Sequence, residues 1–209
     1  SGGYEGVDKF TNKYVDKGAS STKICPDGKY NLNGTGPCVD VSGGYQGTDA
    51  SGSYIPSGAT HTTICIDGKY NLNGTGPCLD VPDGHQGTDV SGTYKSSGAT
   101  HTAICPDGKY NLNGNGSCLD VPDGHQGTDA SGTYMSSGAT HATICPDGKY
   151  NVNGTGQCLD ISGGYQGVNA LGNYMSSGAT HSKICPAGQY NENGDGPCLD
   201  ISGGYQGVN

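Results

Sequence analysis

Tryptophan and arginine are absent from this chain, phenylalanine occurs once and methionine twice. The large side chains that normally fill a globular core are therefore scarce, and the sequence reads as ordered but thinly cored. With no arginine and a net charge of −9, the clustered cations that phosphate recognition requires are missing, which argues against a nucleic-acid partner. The same charge repels anionic lipid headgroups. No apolar run approaches the roughly 20 residues of a membrane span. No initiating methionine or signal-peptide pattern opens the sequence, so it reads as a processed or excerpted extracellular segment. No C-x-x-C pair occurs within a repeat, and the separation of the Cys and His residues disfavours a structural zinc site.

Glycine supplies 40 residues, yet 14 tyrosines and regularly spaced isoleucine, leucine and valine argue against plain disorder. The regularity is that of a tandem repeat. Cys25, Cys65, Cys105, Cys145 and Cys185 recur every 40 residues, as do Cys38, Cys78, Cys118, Cys158 and Cys198. With SGGY taken as the start, five repeats span 1–41, 42–81, 82–121, 122–161 and 162–201, and 202–209 open a sixth. The first is one residue longer, because DKFTNKY from Asp8 stands where the second repeat has DASGSY from Asp49. Periods of this size signal arrays in which each unit contacts its neighbours and atypical units cap the ends. No divergent cap is visible after the fifth repeat, so either the array continues or another copy of the chain covers that end.

A repeat of this size holds few larger apolar side chains. In 42–81 they are Tyr45, Tyr54, Ile55, Ile64, Ile66, Tyr70, Leu72, Leu79 and Val81. Burying them barely offsets the entropy of ordering the backbone, so disulfides and neighbouring repeats must supply the rest. Ten cysteines at fixed spacing fit an oxidising compartment. Two pairings are open. Cys25 can join Cys38, and so on within each repeat, closing a loop that contributes about 3 kcal/mol in the chain-entropy model. Alternatively Cys38 joins Cys65 and so on down the chain, leaving Cys25 and Cys198 for partners outside it.

The segment between the cysteines, CPDGKYNLNGTGPC in the first repeat, carries two turn signals. In Pro26-Asp27-Gly28 proline presets its own dihedral and glycine accepts positive φ, and Asn33-Gly34 is a favoured dipeptide of tight hairpin turns. Between them Lys29-Tyr30-Asn31-Leu32 alternates as a short strand would, and so does the triplet Val39-Asp40-Val41. The reading is a disulfide-closed β-hairpin followed by another short strand. The remainder, 44–63 in the second repeat, has no helical period and suits short strands and turns anchored by Tyr54 and Ile64-Cys65. The predicted fold class is all-β and irregular: an elongated tandem array of disulfide-stapled β-hairpin repeats of about 40 residues. Tyr30, Tyr70, Tyr110, Tyr150 and Tyr190 are the first choice for packing between repeats. Tyr14, Tyr54, Tyr94, Tyr134 and Tyr174 are the second.

The run C-P-x-G-x-Y-x-x-N-G-x-G-x-C, carried by Cys25, Pro26, Gly28, Tyr30, Gly34 and Cys38 and their counterparts apart from Ile66 in place of proline, resembles the ephrin-receptor-like cysteine-rich repeats. The likeness covers about a third of each repeat. Modules of that kind usually continue with a further cysteine, where Asp40 and Val41 stand here. The resemblance implies an extracellular, non-enzymatic architectural role and brings no catalytic residue.

Asp40, Asp80, Asp120, Asp160 and Asp200 occur in every repeat, and Asp27, Asp67, Asp107 and Asp147 in four, with Ala187 in the fifth. The oxygen-rich Asn31–Gly34 stretch fails the calcium-loop template, since Lys29 stands at the first acidic ligand and no terminal Glu follows. Weak calcium sites shared between repeats stay open beside the simpler reading that Asp and Asn cap turns. His61, His101, His141 and His181 share a phase with Ser21, while His85 and His125 alternate with Tyr45 and Tyr165, which suits packing better than catalysis. Asn33, Asn73 and Asn153 begin N-G-T sequons, and Asn115 begins N-G-S. N-linked glycans are expected there, with O-linked sugars open on clusters such as 57–63 and 96–102.

The functional expectation is an extracellular structural protein with no enzymatic activity, the glycosylated shaft of a fibre, appendage or matrix filament, whose partner is further copies of itself. Similar sequences at 1–8 and 202–209 suit head-to-tail growth. The alternatives are an adhesin or carbohydrate-binding array gaining avidity by repetition, and a calcium-stiffened spacer.

Overall fold

The computed structural model describes residues 1–203, so most of the expected sixth repeat lies outside the described residues. Two compact units form, one from Ser1–Ala103 with Asn113–Ser117, the other from Ile104–Leu112 with the chain from Cys118 onward. Both are assembled from the same pieces. The described residues are all-β, with twenty short strands in ten two-stranded ladders and a disulfide in each repeat.

The second repeat shows the plan. Tyr45–Thr48 pairs antiparallel with His61–Ile64, Tyr45 opposite Ile64, and Lys69–Tyr70 pairs antiparallel with Leu79–Asp80, Lys69 opposite Asp80. The triplet after the second cysteine is thus the returning arm of the hairpin and not a separate strand. Cys65, ahead of the outgoing arm, joins Cys78, at the end of the loop before the returning arm, and the other repeats pair their own cysteines in the same way. Lys69 and Asp80 form a cross-strand ion pair at 2.6 Å, repeated by Lys29 with Asp40 and Lys149 with Asp160. In the fifth repeat Gln189 donates to Asp200 instead, at 3.0 Å.

Asn33-Gly34 does not form the expected tight turn. The hairpin is closed by a wide loop, 31–38, with Gly34 and Gly36 both at positive φ, 80° and 82°. A buried asparagine organises it. The Asn31 side chain accepts from the Gly34 amide at 2.8 Å and donates to the Gly36 carbonyl at 3.0 Å, and Asn71, Asn151 and Asn191 do the same in their repeats. The strand therefore stops at Tyr30, and Leu32 is exposed where alternation would place it inward.

The core is small in the literal sense. Val41, Val81, Val121 and Ile161 are buried together with the first cysteines Cys25, Cys65, Cys105 and Cys145, with Ala59, Ala99, Ala139 and Ala179, and with Thr48, Thr88 and Thr128. The Thr48 hydroxyl pairs with that of Thr63 at 3.2 Å and that of Thr128 with Thr143 at 2.8 Å, whereas Thr88 stays buried with Ala103 at the partner position. Where Lys23 and Lys183 replace that partner, the buried residue is Val7 or Val168. The larger side chains Ile64, Leu72 and Leu79 remain substantially exposed.

The long connection between the paired four-residue strands is also built by hydrogen bonds. The Asp49 carboxylate accepts from the Ser51 amide and hydroxyl and from the Ser53 amide, and Gly52 takes φ 86°. In the longer first repeat Asn12, φ 54°, adopts the left-handed conformation, as asparagine does more readily than most residues.

Candidate functional site: the junction between repeats

The first cysteine is followed by a turn whose backbone receives the next repeat. The Gly58 amide donates to the Cys25 carbonyl at 2.7 Å, the Asn31 amide donates to the Ala59 carbonyl at 2.9 Å, and Tyr30 bridges Ala59 in parallel register. Corresponding parallel bridges join Tyr70 to Ala99, Tyr110 to Ala139 and Tyr150 to Ala179. The first set of tyrosines therefore meets the following repeat through its backbone. Tyr190 is exposed, unlike its half-buried counterparts. Ile24 lies against Gly58, Ile64 against Gly98 and Ile144 against Gly178.

At the centre of each junction is an aspartate. One Asp27 oxygen accepts from the Gly28 amide at 2.9 Å, holding the turn. The other accepts from two groups of the following repeat, the Tyr54 hydroxyl at 3.1 Å and the Gly76 amide at 2.9 Å. The arrangement recurs with Asp67 receiving Tyr94 and Gly116, Asp107 receiving Tyr134 and Gly156, and Asp147 receiving Tyr174 and Gly196. Burial, then the hydrogen bond to aspartate, raises the pKa of Tyr54, Tyr94, Tyr134 and Tyr174 above that of free tyrosine. The sequence reading of these aspartates as turn caps covers only one of their two oxygens. The signal that could have revealed the other is Ala187, the one place in the repeat series where this phase loses its acid.

Close approach of backbones completes the junction. A Cβ on Gly44 would collide with the Gly98 carbonyl, and one on Gly124 with that of Gly178. Gly28 and Gly108 face the side chains of Thr75 and Thr155, Gly68 faces Asn115, and Gly148 faces Asp195.

Three of the sequon asparagines sit alike. Asn33, Asn73 and Asn153 are exposed in the wide loop and each accepts a hydrogen bond from the amide of the sequon threonine, at 3.0, 3.1 and 3.1 Å. Asn115 occupies the phase of those threonines, with its side-chain oxygen against Gly68. The histidines His61, His101, His141 and His181 each contact the hydroxyl of the preceding threonine through Nδ1 at 2.8 Å. Among the described residues no group of three His, Cys, Asp or Glu side chains is placed to hold a metal ion, and no helix is long and apolar enough to cross a membrane.

The pieces define a disulfide-rich tandem repeat protein whose successive repeats are hydrogen-bonded to one another, a design suited to an oxidising environment. No protein-family model matches the chain, and no curated protein matches it.

Proposed function

We propose that this chain is a structural subunit of an extracellular fibre, surface appendage or matrix filament, without enzymatic activity, and that it carries N-linked glycans on its repeat loops. The observation that carries this reading is the repeated junction, in which the carboxylates of Asp27, Asp67, Asp107 and Asp147 tie each repeat to the next. Strain applied along the backbone would meet a charge-assisted hydrogen-bond pair at every junction and a covalent loop in every repeat. The partial likeness to ephrin-receptor-like repeats agrees with an architectural role outside the cell. Electron microscopy of native material tests the proposal: filaments with branched density at Asn33, Asn73 and Asn153 are expected, and isolated particles with bare asparagines would contradict it.

A second reading, a carbohydrate-binding array, draws on a cleft of about 390 Å³ in the fourth repeat lined by Gln126, Thr133, Tyr134, Lys149 and Gln157. Saturable binding of a defined glycan, lost in Tyr134→Ala and without filament growth, would favour it over the structural reading.

A further inference from the structure

The lysines are unevenly spread. Five of the ten lie in residues 1–41, matched there by five acids, so the whole net charge of −9 falls on 42–209. Lys29, Lys69, Lys109 and Lys149 pair across their hairpins, and Lys95 pairs with Asp89 at 3.5 Å. Among the described residues Lys9, Lys13, Lys17, Lys23 and Lys183 form no ion pair. Lys17 shares the phase of Ser97 and Ser137, which bridge the preceding repeat, and belongs to a junction face. Lys9 and Lys13 lie on the loop 8–14, the stretch DKFTNKY that is one residue longer than its counterparts. Lys23 shares the phase of Lys183, whose Nζ lies 3.2 Å from where a Cβ on Gly172 would stand, in the matching loop of the fifth repeat. Phe10 projects from 8–14 at 85 % exposure, with the Lys9 ammonium 4.9 Å from its ring centroid. Val90 and Leu171 project equally from their loops, but neither loop carries two lysines. The loop is held from within. Asp8 Oδ1 accepts from the Phe10 and Thr11 amides at 3.0 and 2.8 Å, the Asp8 amide donates to the Lys13 carbonyl at 3.0 Å, and the Lys9 amide donates to the Ser20 hydroxyl at 2.9 Å. Asn12 is the one non-glycine residue at positive φ among the described residues. The matching residues 50–53 are exposed although a repeat precedes them, so the exposure belongs to the loop itself.

We propose that the loop 8–14, with Lys23, binds an acidic polysaccharide, a linear chain of sulfated or carboxylated sugars. The site goes beyond the structural-subunit reading, is distinct from the fourth-repeat cleft, and needs only a single chain. Three acids lie near it in sequence, and each is turned to a donor of its own: Asp8 to the loop amides, Glu5 to the Cys38 amide at 2.9 Å, and Asp16 to the Tyr14 hydroxyl at 3.3 Å. The lysines are left as the groups that meet an anion. Their ammoniums pair with sulfate or carboxylate groups, while the Phe10 ring offers an apolar face to the C–H side of a sugar ring. A flat anionic bilayer fits this loop less well, because it would draw the acidic repeats 42–201 toward like charge, whereas a polymer strand reaches one loop alone. Since the loop backbone is already fixed, binding orders only a few side chains.

Titration calorimetry of the full oxidised chain with dextran sulfate, a polyuronate and neutral dextran tests this. Binding to at least one of the two polyanions and none to neutral dextran is expected. Affinity should fall about 10- to 40-fold between about 50 and 200 mM salt, as three lysines displace counterions from a linear polyanion. Lys9→Gln combined with Lys13→Gln should weaken binding at least about tenfold at low salt. Phe10→Ser, at an exposed position, should weaken it a few-fold even at high salt. Lys109→Gln combined with Lys149→Gln removes the same charge from the hairpins and should leave affinity within about twofold. Absence of binding to both polyanions, or equal losses in the two lysine pairs, overturns the proposal. So does tighter binding to single-stranded DNA, or to vesicles of equal phosphatidylcholine and phosphatidylserine, than to either polysaccharide.

Discussion

Asp67 shows how much one side chain does in this protein. It receives the amide of Gly68, the hydroxyl of Tyr94 and the amide of Gly116, so it holds its own turn and the next repeat together. Replacing it by alanine strands two donors of the neighbouring repeat, and the expected cost is about 1.5–3 kcal/mol. Tyr94→Phe removes one bond and costs about 1 kcal/mol. In denaturant titrations the double variant should fall short of the sum of the two, because both remove the same contact. Two pH limits follow from neighbouring groups. The Ser51, Ser91 and Ser131 hydroxyls, with nearby amides, lower the pKa of Asp49, Asp89 and Asp129, that of Asp89 to about 2. A lowered carboxyl pKa contributes stability that is present above the unfolded value and lost as pH falls through the folded one, so stability should decline from about pH 4 toward pH 2. The junction tyrosines have raised values, so their contribution is complete below about pH 10 and is lost as pH rises through the folded values. Unfolding midpoints measured across pH should show both declines; a profile flat to pH 12 would contradict the junction tyrosines' role.

At the scale of elements, glycines separate into two kinds that the sequence does not distinguish. Gly52 has φ 86° with only the Thr63 hydroxyl near its side, at 3.9 Å, so Gly52→Ala should cost about 1–2 kcal/mol from conformation alone. Gly44 has φ 80° and its side faces the Gly98 carbonyl, so Gly44→Ala should force the junction apart and cost clearly more in thermal unfolding. The junction of the fourth and fifth repeats carries an acid where others carry threonine or asparagine: Asp195 lies against Gly148 and precedes Gly196, whose amide donates to Asp147, so two carboxylates of like charge share this junction. Asp195→Thr should therefore stabilise that junction at neutral pH, an effect reduced by salt. The Pro26-Asp27-Gly28 turn, the outgoing hairpin arm and the all-β class were legible in CPDGKY, because those residues state local preferences, whereas Val39-Asp40 was legible as a strand but not as the arm that pairs with Lys29-Tyr30. The wide loop was not, since Asn31 overrides the Asn33-Gly34 signal through side-chain bonds to Gly34 and Gly36 that no local propensity records. Nor was the junction: Asp27 meets Gly76 across 49 positions, and a period of 40 hides any contact that reaches into the next period.

For the molecule as a whole, the small core makes covalent and inter-repeat links matter more than burial. Removing the Cys105–Cys118 bridge by paired alanines should cost about 3 kcal/mol in the chain-entropy model, and reduction of all five bridges should collapse the array's resistance to heat. As the subunit of a fibre, the role proposed above, the chain would resist extension repeat by repeat because an aspartate ties each repeat to the next. Stretching the single oxidised chain by force spectroscopy tests it most directly. Replacing Asp27, Asp67, Asp107 and Asp147 by alanine is expected to lower the force at which repeats part and to make them yield independently of one another. Traces indistinguishable from those of the unmodified chain would contradict it.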